Sequence, residues 1–199
     1  MGYPKTLKEM IDNFKLLPGI GEKTAERLAF AMLEFESERL NNFAKTITNL
    51  SSNIKKCSIC NHLTENDICD ICMDKKRDNS IICVVEDPKS VILFEKNHLF
   101  NGKYHVLNGL ISPLNKVNPE DINLNSLLKR VKDGSAKEVI IAIKPTLEGE
   151  ATSLYILKLL KKEDITVSKI ACGIPVGADI DYLDAMTLET AFFNRRKIS

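Results

Sequence analysis

The chain has 199 residues, of which 44% are hydrophobic, and a formal net charge of +1 at pH 7. That length suits one large domain or two to three small ones, and the composition is ordinary for a soluble globular chain. No apolar run approaches the roughly 20 residues needed to cross a bilayer, and the first ten residues lack the apolar core of a secretion signal; the expectation is a cytoplasmic protein with no membrane partner. Near-neutral charge excludes bulk attraction to nucleic acid. Residues 1–56 nevertheless hold nine Lys/Arg against seven Asp/Glu, so any DNA contact must be a local, salt-sensitive patch, with several copies adding avidity.

In chain order, Leu7, Met10, Ile11 and Phe14 recur at helical spacing and predict a helix over 5–15. Leu16-Leu17-Pro18-Gly19-Ile20-Gly21 breaks it with a tight turn. Ala25, Leu28, Ala29, Met32 and Leu33 share one face of a second helix over about 22–35, and Leu40, Phe43, Ile47 and Leu50 mark a third over about 39–50. The cysteine segment 57–72 is too short for an apolar core, and the polar stretch Asp74–Asn79 leads out of it. Ser80–Val85 is a largely apolar run ending in Glu86-Asp87-Pro88, the pattern of a buried parallel strand. A helix over about 88–96, a short strand near Tyr104–Leu107 and a loop-rich stretch over 108–123 follow. Then come a helix over about 124–133, a strand Glu138–Ile143, a helix to about 162, a strand Thr166–Ala171 and a helix near 184–194. Strands alternating with helices predict an α/β layer on a parallel sheet.

The sharpest motif is Cys57-Ser58-Ile59-Cys60 and Cys69-Asp70-Ile71-Cys72, two Cys-x-x-Cys pairs eight residues apart. Two such pairs close a tetrahedron around one zinc ion, leaving no open position, so the metal is structural and supplies the folding energy the segment cannot get from burial. A dithiol redox pair is the competing reading, but a redox pair usually stands alone near a helix N-terminus. The spacer, with Asn61, Asn66 and Asp67, suits a hairpin. His62 between the pairs reads as a polar surface residue, and Cys83 and Cys172 read as core thiols.

The turn Leu17-Pro18-Gly19-Ile20-Gly21, followed by Lys23 and Arg27, resembles the helix-hairpin-helix of non-specific DNA-binding proteins. Gly19 and Gly21 let backbone N–H groups approach a phosphate, and the following helix N-terminus adds a positive dipole end. Lys23 and Arg27, four residues apart, share a helix face and could track a backbone without reading bases. The plainer alternative is a turn between packed helices with two solvated charges.

Glu86, at the end of the first long strand, and Glu148 and Glu150, after a later one, gather carboxylates at the sheet edge where α/β sites form. The pattern resembles the Toprim domain of topoisomerases and primases. Its active members carry a Glu after the first strand and an Asp-x-Asp after a later one, for magnesium-assisted phosphoryl transfer. Here Glu86 matches, but Lys144 follows the later strand and no Asp-x-Asp exists in 138–152; Asp179-Ile180-Asp181 lies in the tail. The expectation is a Toprim scaffold with a degraded metal site. For Asp87 before Pro88, a helix cap is the better reading.

Taken in order, these modules resemble the RecR family of bacterial recombination mediators across essentially the whole chain. The carriers are Leu17-Pro18-Gly19-Ile20-Gly21-x-Lys23, the four cysteines, Ile82-Cys83-Val84-Val85-Glu86-Asp87-Pro88, Tyr104-His105-Val106-Leu107-x-Gly109, Ile111-Ser112-Pro113-Leu114, Pro145-Thr146-x-Glu148-Gly149-Glu150-Ala151-Thr152 and Gly173-Ile174-Pro175-Val176-Gly177-Ala178-Asp179. It departs at Lys144, where the family usually has Asn, and at Ile180-Asp181-Tyr182, where it usually reads Leu-Glu-Tyr. The segment Gly173–Tyr182 resembles what the family calls a Walker B-like motif, but no phosphate-binding Gly-x-x-x-x-Gly-Lys-[Ser/Thr] loop exists and ATP hydrolysis is not expected.

The resemblance implies an α+β multi-module chain: a helix-hairpin-helix domain over 1–53, a four-cysteine zinc module over 54–79, a Toprim domain over 80–175 and a C-terminal helical tail over 176–199. It implies one structural zinc ion and no enzymatic activity. The expected role is a sequence-independent DNA clamp in RecF-pathway recombinational repair, a homotetrameric ring that joins RecO, and in some settings RecF, to load the recombinase. Gly19, Gly21, Lys23 and Arg27 would face DNA, and Glu86, Glu148 and Glu150 would lie near the RecO contact. Two alternatives stay open at this point: a magnesium-dependent Toprim nucleic-acid enzyme, and a zinc adaptor that binds only proteins.

Overall fold

The computed structural model describes residues 2–197 and divides into two compact units, one ending at Ile54 and the other beginning at Lys55.

The first unit is three helices, α1 (Lys5–Lys15), α2 (Glu22–Leu33) and α3 (Ser37–Asn53). Its core is small. Ile11, Ala25 and Ala29 are buried, with Leu7, Met10, Phe14 and Ile20 packed around them. The two alanines let α1 and α2 approach closely, so side chains from one helix fill grooves of the other. The apolar stripe foreseen on α3 exists but is not covered within the unit: Phe43, Ile47 and Leu50 are 43%, 57% and 65% exposed. The periodicity located the helix and its apolar face correctly. Burial of that face within the chain does not follow from periodicity.

The second unit begins with the two-stranded antiparallel hairpin of β1 (Lys55–Lys56) and β2 (Leu63–Thr64) and the single-turn α4 (Asp70–Met73). The hairpin starts ahead of the first cysteine rather than inside the spacer. Next come β3 (Asp78–Val85), α5 (Pro88–Lys96), β4 (Gly102–Val106), a 3-10 turn at Pro113–Asn115, α6 (Leu124–Asp133), β5 (Glu138–Ala142), α7 (Leu147–Leu160), β6 (Thr166–Lys169), a second 3-10 turn at Ile180–Tyr182 and α8 (Ala185–Phe193). The polar stretch Asp74–Asn79 therefore ends inside β3, whose pairing with β4 shifts register between Asp78 and Ile82.

The four long strands form one parallel sheet in the order β4-β3-β5-β6. The period of two in β3 sends its side chains to opposite faces. Ile82 and Val84 join Leu124, Leu127, Val139, Ile141 and Ile156 in the larger core. Cys83 and Val85 join Val91, Tyr104, Val106 and Ala142 on the other side, where Ile71 of the cysteine module also packs. Burial pushes the Cys83 thiol up to about 12, so it is a neutral core group. Cys172 differs from expectation: it follows the last strand in irregular chain and is only half-buried, because β6 ends at Lys169 rather than Ala171.

Two sequence signals set local geometry. Asp87 caps α5, its carboxylate accepting from Lys89 N at 2.7 Å and Ser90 N at 3.1 Å, with Pro88 in the first turn; this is the arrangement expected of Asp-Pro at a helix start. The strand order places β4 on one side of β3 and β5 on the other. The crevice beyond the C-terminal ends of β3 and β5 is therefore the switch point at which such sheets gather functional residues.

Candidate metal centre, nucleic-acid interface and sheet-edge site

The metal centre is built by the hairpin and α4. Cys57 and Cys60 flank a tight turn in which Asn61 N donates to Cys57 O at 2.9 Å and Asn61 takes a left-handed φ of 65°. Cys57 N donates to His62 O at 2.7 Å, and Ser58 N to Asp67 O at 2.9 Å. Cys69 and Cys72 bracket the turn of α4, closed by Cys72 N donating to Cys69 O at 3.0 Å. All four Sγ atoms lie within 4.8 Å of one another, and the Cys60 and Cys69 sulfurs are 3.5 Å apart. A tetrahedral zinc ion with Zn–S near 2.3 Å needs sulfur–sulfur edges of about 3.8 Å, so the sulfur cage fits it. Cys69 N also donates to Cys57 Sγ at 3.3 Å, the kind of backbone bond that stabilises a thiolate. Through the shared Cys60–Cys69 sulfur contact the Cys60 thiol is held up and the Cys69 thiol is pulled down. His62 is no ligand in this arrangement and not a surface residue either. It is half-buried, its Nδ1 is enclosed without a partner, and burial lowers its pKa.

The module covers the exposed edge of the sheet. Val106 N, on edge strand β4, donates to Cys60 O at 2.8 Å, and Asn61 Nδ2 donates to Val106 O at 3.3 Å. An uncovered edge would invite pairing with another chain. Two cations reinforce the junction. Arg77 pairs with Glu95 of α5, its Nη1 lying 3.1 Å from Oε1, while Tyr104 OH donates to the same oxygen at 2.8 Å. Lys103, only 4% exposed, reaches from β4 to three backbone carbonyls of the module. Neither cation was identifiable from sequence. Lys103 in a short strand reads as a solvated edge lysine, and nothing local marks Arg77.

In the helical unit, the turn between α1 and α2 is closed by Leu17 N donating to Phe14 O and Ile20 N to Leu17 O, each at 3.1 Å. Gly19 sits at φ 81°, which explains the glycine there. Gly21 is different: its φ of −85° is ordinary extended backbone, and it serves as the N-cap of α2, its carbonyl accepting from Ala25 N at 2.9 Å. A side chain at either glycine would meet nothing within 4 Å, so the loop's backbone faces open space. Lys23 and Arg27 are exposed on the first turns of α2 and take part in no ion pair within 4.0 Å among the described residues. The neighbouring carboxylate, Glu22, is held by Lys15, whose pKa rises in response.

At the sheet switch point, Lys144 Nζ lies 3.0 Å from Glu86 Oε1. Glu86 holds the Lys144 pKa up, with smaller contributions from Glu148 and Asp87. Glu148 and Glu150 stand in the first turn of α7, capped by Thr146, which accepts from Gly149 N at 3.3 Å. A Cβ at Gly149 would fall 1.9 Å from Lys144 O, so the helix can seat against the end of β5 only with glycine there. Glu150 pairs with Lys169 at the end of β6. The three carboxylates thus do not form one uncompensated acidic patch. Glu86 and Glu150 each carry a lysine partner, and Glu148 has no ion-pair partner among the described residues. Asp179 and Asp181 lie in the 3-10 turn past the last strand, where Asp179 caps Asp181 N at 3.2 Å.

Four family models match the chain in sequence order: the RecR helix-hairpin-helix over residues 7–50, the RecR four-cysteine zinc-finger domain over 54–74, the Toprim domain over 80–171 and the RecR C-terminal domain over 173–196. The chain belongs to the RecR family.

The RecR domain set supports a role as a recombination-repair mediator, and its helix-hairpin-helix and C-terminal domains suggest DNA binding and oligomerisation. The RecR zinc-finger match and the sulfur cage together fit one structural zinc ion held by Cys57, Cys60, Cys69 and Cys72. The metal contributes folding free energy to a module that has little apolar burial of its own. The Toprim match places Glu86 and Lys144 on a sheet of known type. No described helix is long and apolar enough to cross a membrane.

Proposed function

We propose that the chain acts without catalysis, as a DNA clamp and loading adaptor in recombinational repair. It grips the sugar–phosphate backbone through the α1–α2 turn and the exposed cations Lys23 and Arg27, independently of base sequence. The observation that carries this reading is an open glycine turn at φ 81° followed by a helix with two exposed cations in no ion pair among the described residues. Backbone amides at a helix start and two cations one turn apart form a phosphate-binding surface with no base readout. Gly21 contributes as the small cap of that helix.

The non-catalytic part of the reading is supported by Lys144. Its ammonium occupies Glu86 at 3.0 Å, the position at which a magnesium-using Toprim enzyme needs a free carboxylate. Self-association is supported by the uncovered Phe43, Ile47 and Leu50 on α3 and by Phe192 and Phe193 at the end of α8, apolar groups whose exposure marks interaction surfaces. The proposed assembly is a tetrameric ring in the cytoplasm. It works with RecO, and with RecF where that protein is used, to load the recombinase. Glu148, without an ion-pair partner among the described residues, is the acidic group best placed for RecO, with Glu86 and Glu150 flanking it as lysine-paired groups.

The test is retention of a gapped duplex across a salt series by the native chain and by the Lys23→Ala/Arg27→Ala double variant. The expected loss is about tenfold or more at low salt, with the log–log salt slope reduced by about 2. Equal retention at every ionic strength would remove the DNA-grip reading. Magnesium-dependent nicking that disappears in Glu86→Ala would remove the non-catalytic one.

A further inference from the structure

Lys103 is the one lysine among the buried polar and charged residues described, 4% exposed. Its Nζ donates to Ile71 O at 2.7 Å, Cys72 O at 3.2 Å and Asp74 O at 2.7 Å. Three acceptors match the three hydrogens of a lysine ammonium. A buried ammonium is expensive unless an anion compensates it. None of the ion pairs within 4.0 Å among the described residues involves Lys103. The nearby carboxylates are engaged elsewhere: Glu95 with Arg77 and Tyr104, Asp74 with Arg77.

The metal centre adjoins Lys103 and is the nearby source of negative charge left to consider. Four thiolates on one divalent ion leave two uncompensated negative charges, and the carbonyls that bind Lys103 belong to Cys72, a ligand, and to residues one and two positions away from it. Cys72 is also the least buried of the four ligands. It lines, with Lys103 and Arg130, a cleft of about 240 Å³.

We propose that Lys103 is the counter-charge of the zinc tetrathiolate, a positioning residue that holds the Cys69–Cys72 half of the cage and lowers the metal's escape through the Cys72 side. The buried cation and the anionic cage each offset the other's desolvation, and strand β4 thereby becomes part of the metal site. Outer-shell partners of this kind typically change metal affinity by about 10–100-fold when removed.

The full-length zinc-loaded chain and its Lys103→Met, Lys103→Gln and Lys103→Arg variants decide this. Two readouts apply: the rate of zinc transfer to a chromogenic chelator, and the thiolate-to-metal charge-transfer band of the cobalt(II)-substituted chain. Lys103→Gln keeps amide donors for the carbonyls but no charge, so it separates electrostatic compensation from simple carbonyl capping. The expected result is zinc release about tenfold faster in the Met and Gln variants, with the cobalt band moved to lower energy because the sulfurs lose a neighbouring positive charge. Lys103→Arg should stay near the native chain on both. Should Lys103→Met fail to fold, the Gln and Arg variants carry the comparison. Native-like release and an unmoved band in Lys103→Gln would overturn the proposal.

Discussion

Two cations on α2 of the helical unit and four in the sheet unit are used in opposite ways. In the first, Lys23 and Arg27 project from α2 and form no ion pair within 4.0 Å among the described residues. In the second, Arg77 is tied to Glu95, Lys144 to Glu86, Lys169 to Glu150, and Lys103 to three carbonyls. A net charge of +1 thus conceals a division of labour. Arg77, Lys103, Lys144 and Lys169 serve the architecture of the sheet unit, whereas Lys23 and Arg27 stand exposed for an outside anion. Removing Arg77 or Lys103 should change stability or metal retention. Removing a cation from α2 should change binding alone.

The largest expected effect tests the structural side of that contrast. Cys57→Ala removes one zinc ligand and also the sulfur that accepts from Cys69 N at 3.3 Å. Zinc content should fall from one ion per chain toward none, and the melting temperature should drop by on the order of 10 °C, since the module relies on metal for its folding energy. A zinc-free variant that melts like the native chain would show that the sheet edge does not depend on the cage. The Lys23/Arg27 double variant should show the reverse pattern, with retained melting temperature and lost DNA retention.

Acid should act next, on a buried group of the sheet unit. His105 lies in β4 at 0% exposure, with Nε2 2.8 Å from Asn123 O and Nδ1 buried without a partner. Burial pushes its pKa down to about 4, from about 6.5 in an unfolded chain. The folded state therefore resists a proton that the unfolded state accepts. The stability this group supports is complete above about pH 6.5. It drains away as pH falls toward 4, reaching about 3 kcal/mol in total. The measurement is chemical denaturation between pH 7 and 4.5 for the native chain and for His105→Gln. Because zinc is also released in acid, the difference between the two slopes is the quantity that matters, and the variant's should be flatter.

How much of this was legible in the sequence depends on the range of the interaction. The four cysteines were readable because metal chemistry fixes both residue type and spacing. The start of α5 was readable because Asp87 and Pro88 act on the adjacent turn. β3 was readable because a strand buried on both faces cannot hide its apolar run. The three long-range ties to β4 were not. Cys60 O, Asn61 and Lys103 join that strand to the cysteine module across long stretches of intervening chain, and a lysine beside a glycine in a short strand looks solvated. Lys144 was recognised as the residue that departs from the metal-binding pattern, but its ion pair with Glu86 became visible only once β3 and β5 lay side by side. The exposed stripe of α3 illustrates the converse: periodicity shows that a face is apolar and says nothing about what covers it.

The smallest effect is expected at Lys144, and it sharpens the contrast because this is more exposed than Arg77, Lys103 or Lys169. The Lys144 side chain is 52% exposed and Glu86 is 25% exposed, so solvent screens their pair, which contributes under about 1 kcal/mol. Lys144→Met should therefore leave the melting temperature within about 2 °C of native. What should change is the character of the crevice. Glu86 and Glu148 would then face each other's field without the intervening ammonium, and a divalent ion would no longer be repelled. Weak magnesium or manganese binding should appear in calorimetry of Lys144→Met and be absent from the double variant Lys144→Met/Glu86→Gln. Equal divalent binding by the native chain and Lys144→Met would mean that the lysine is a surface decoration. The internal use of cations seen at Arg77 and Lys103 would then stop short of the sheet's switch point.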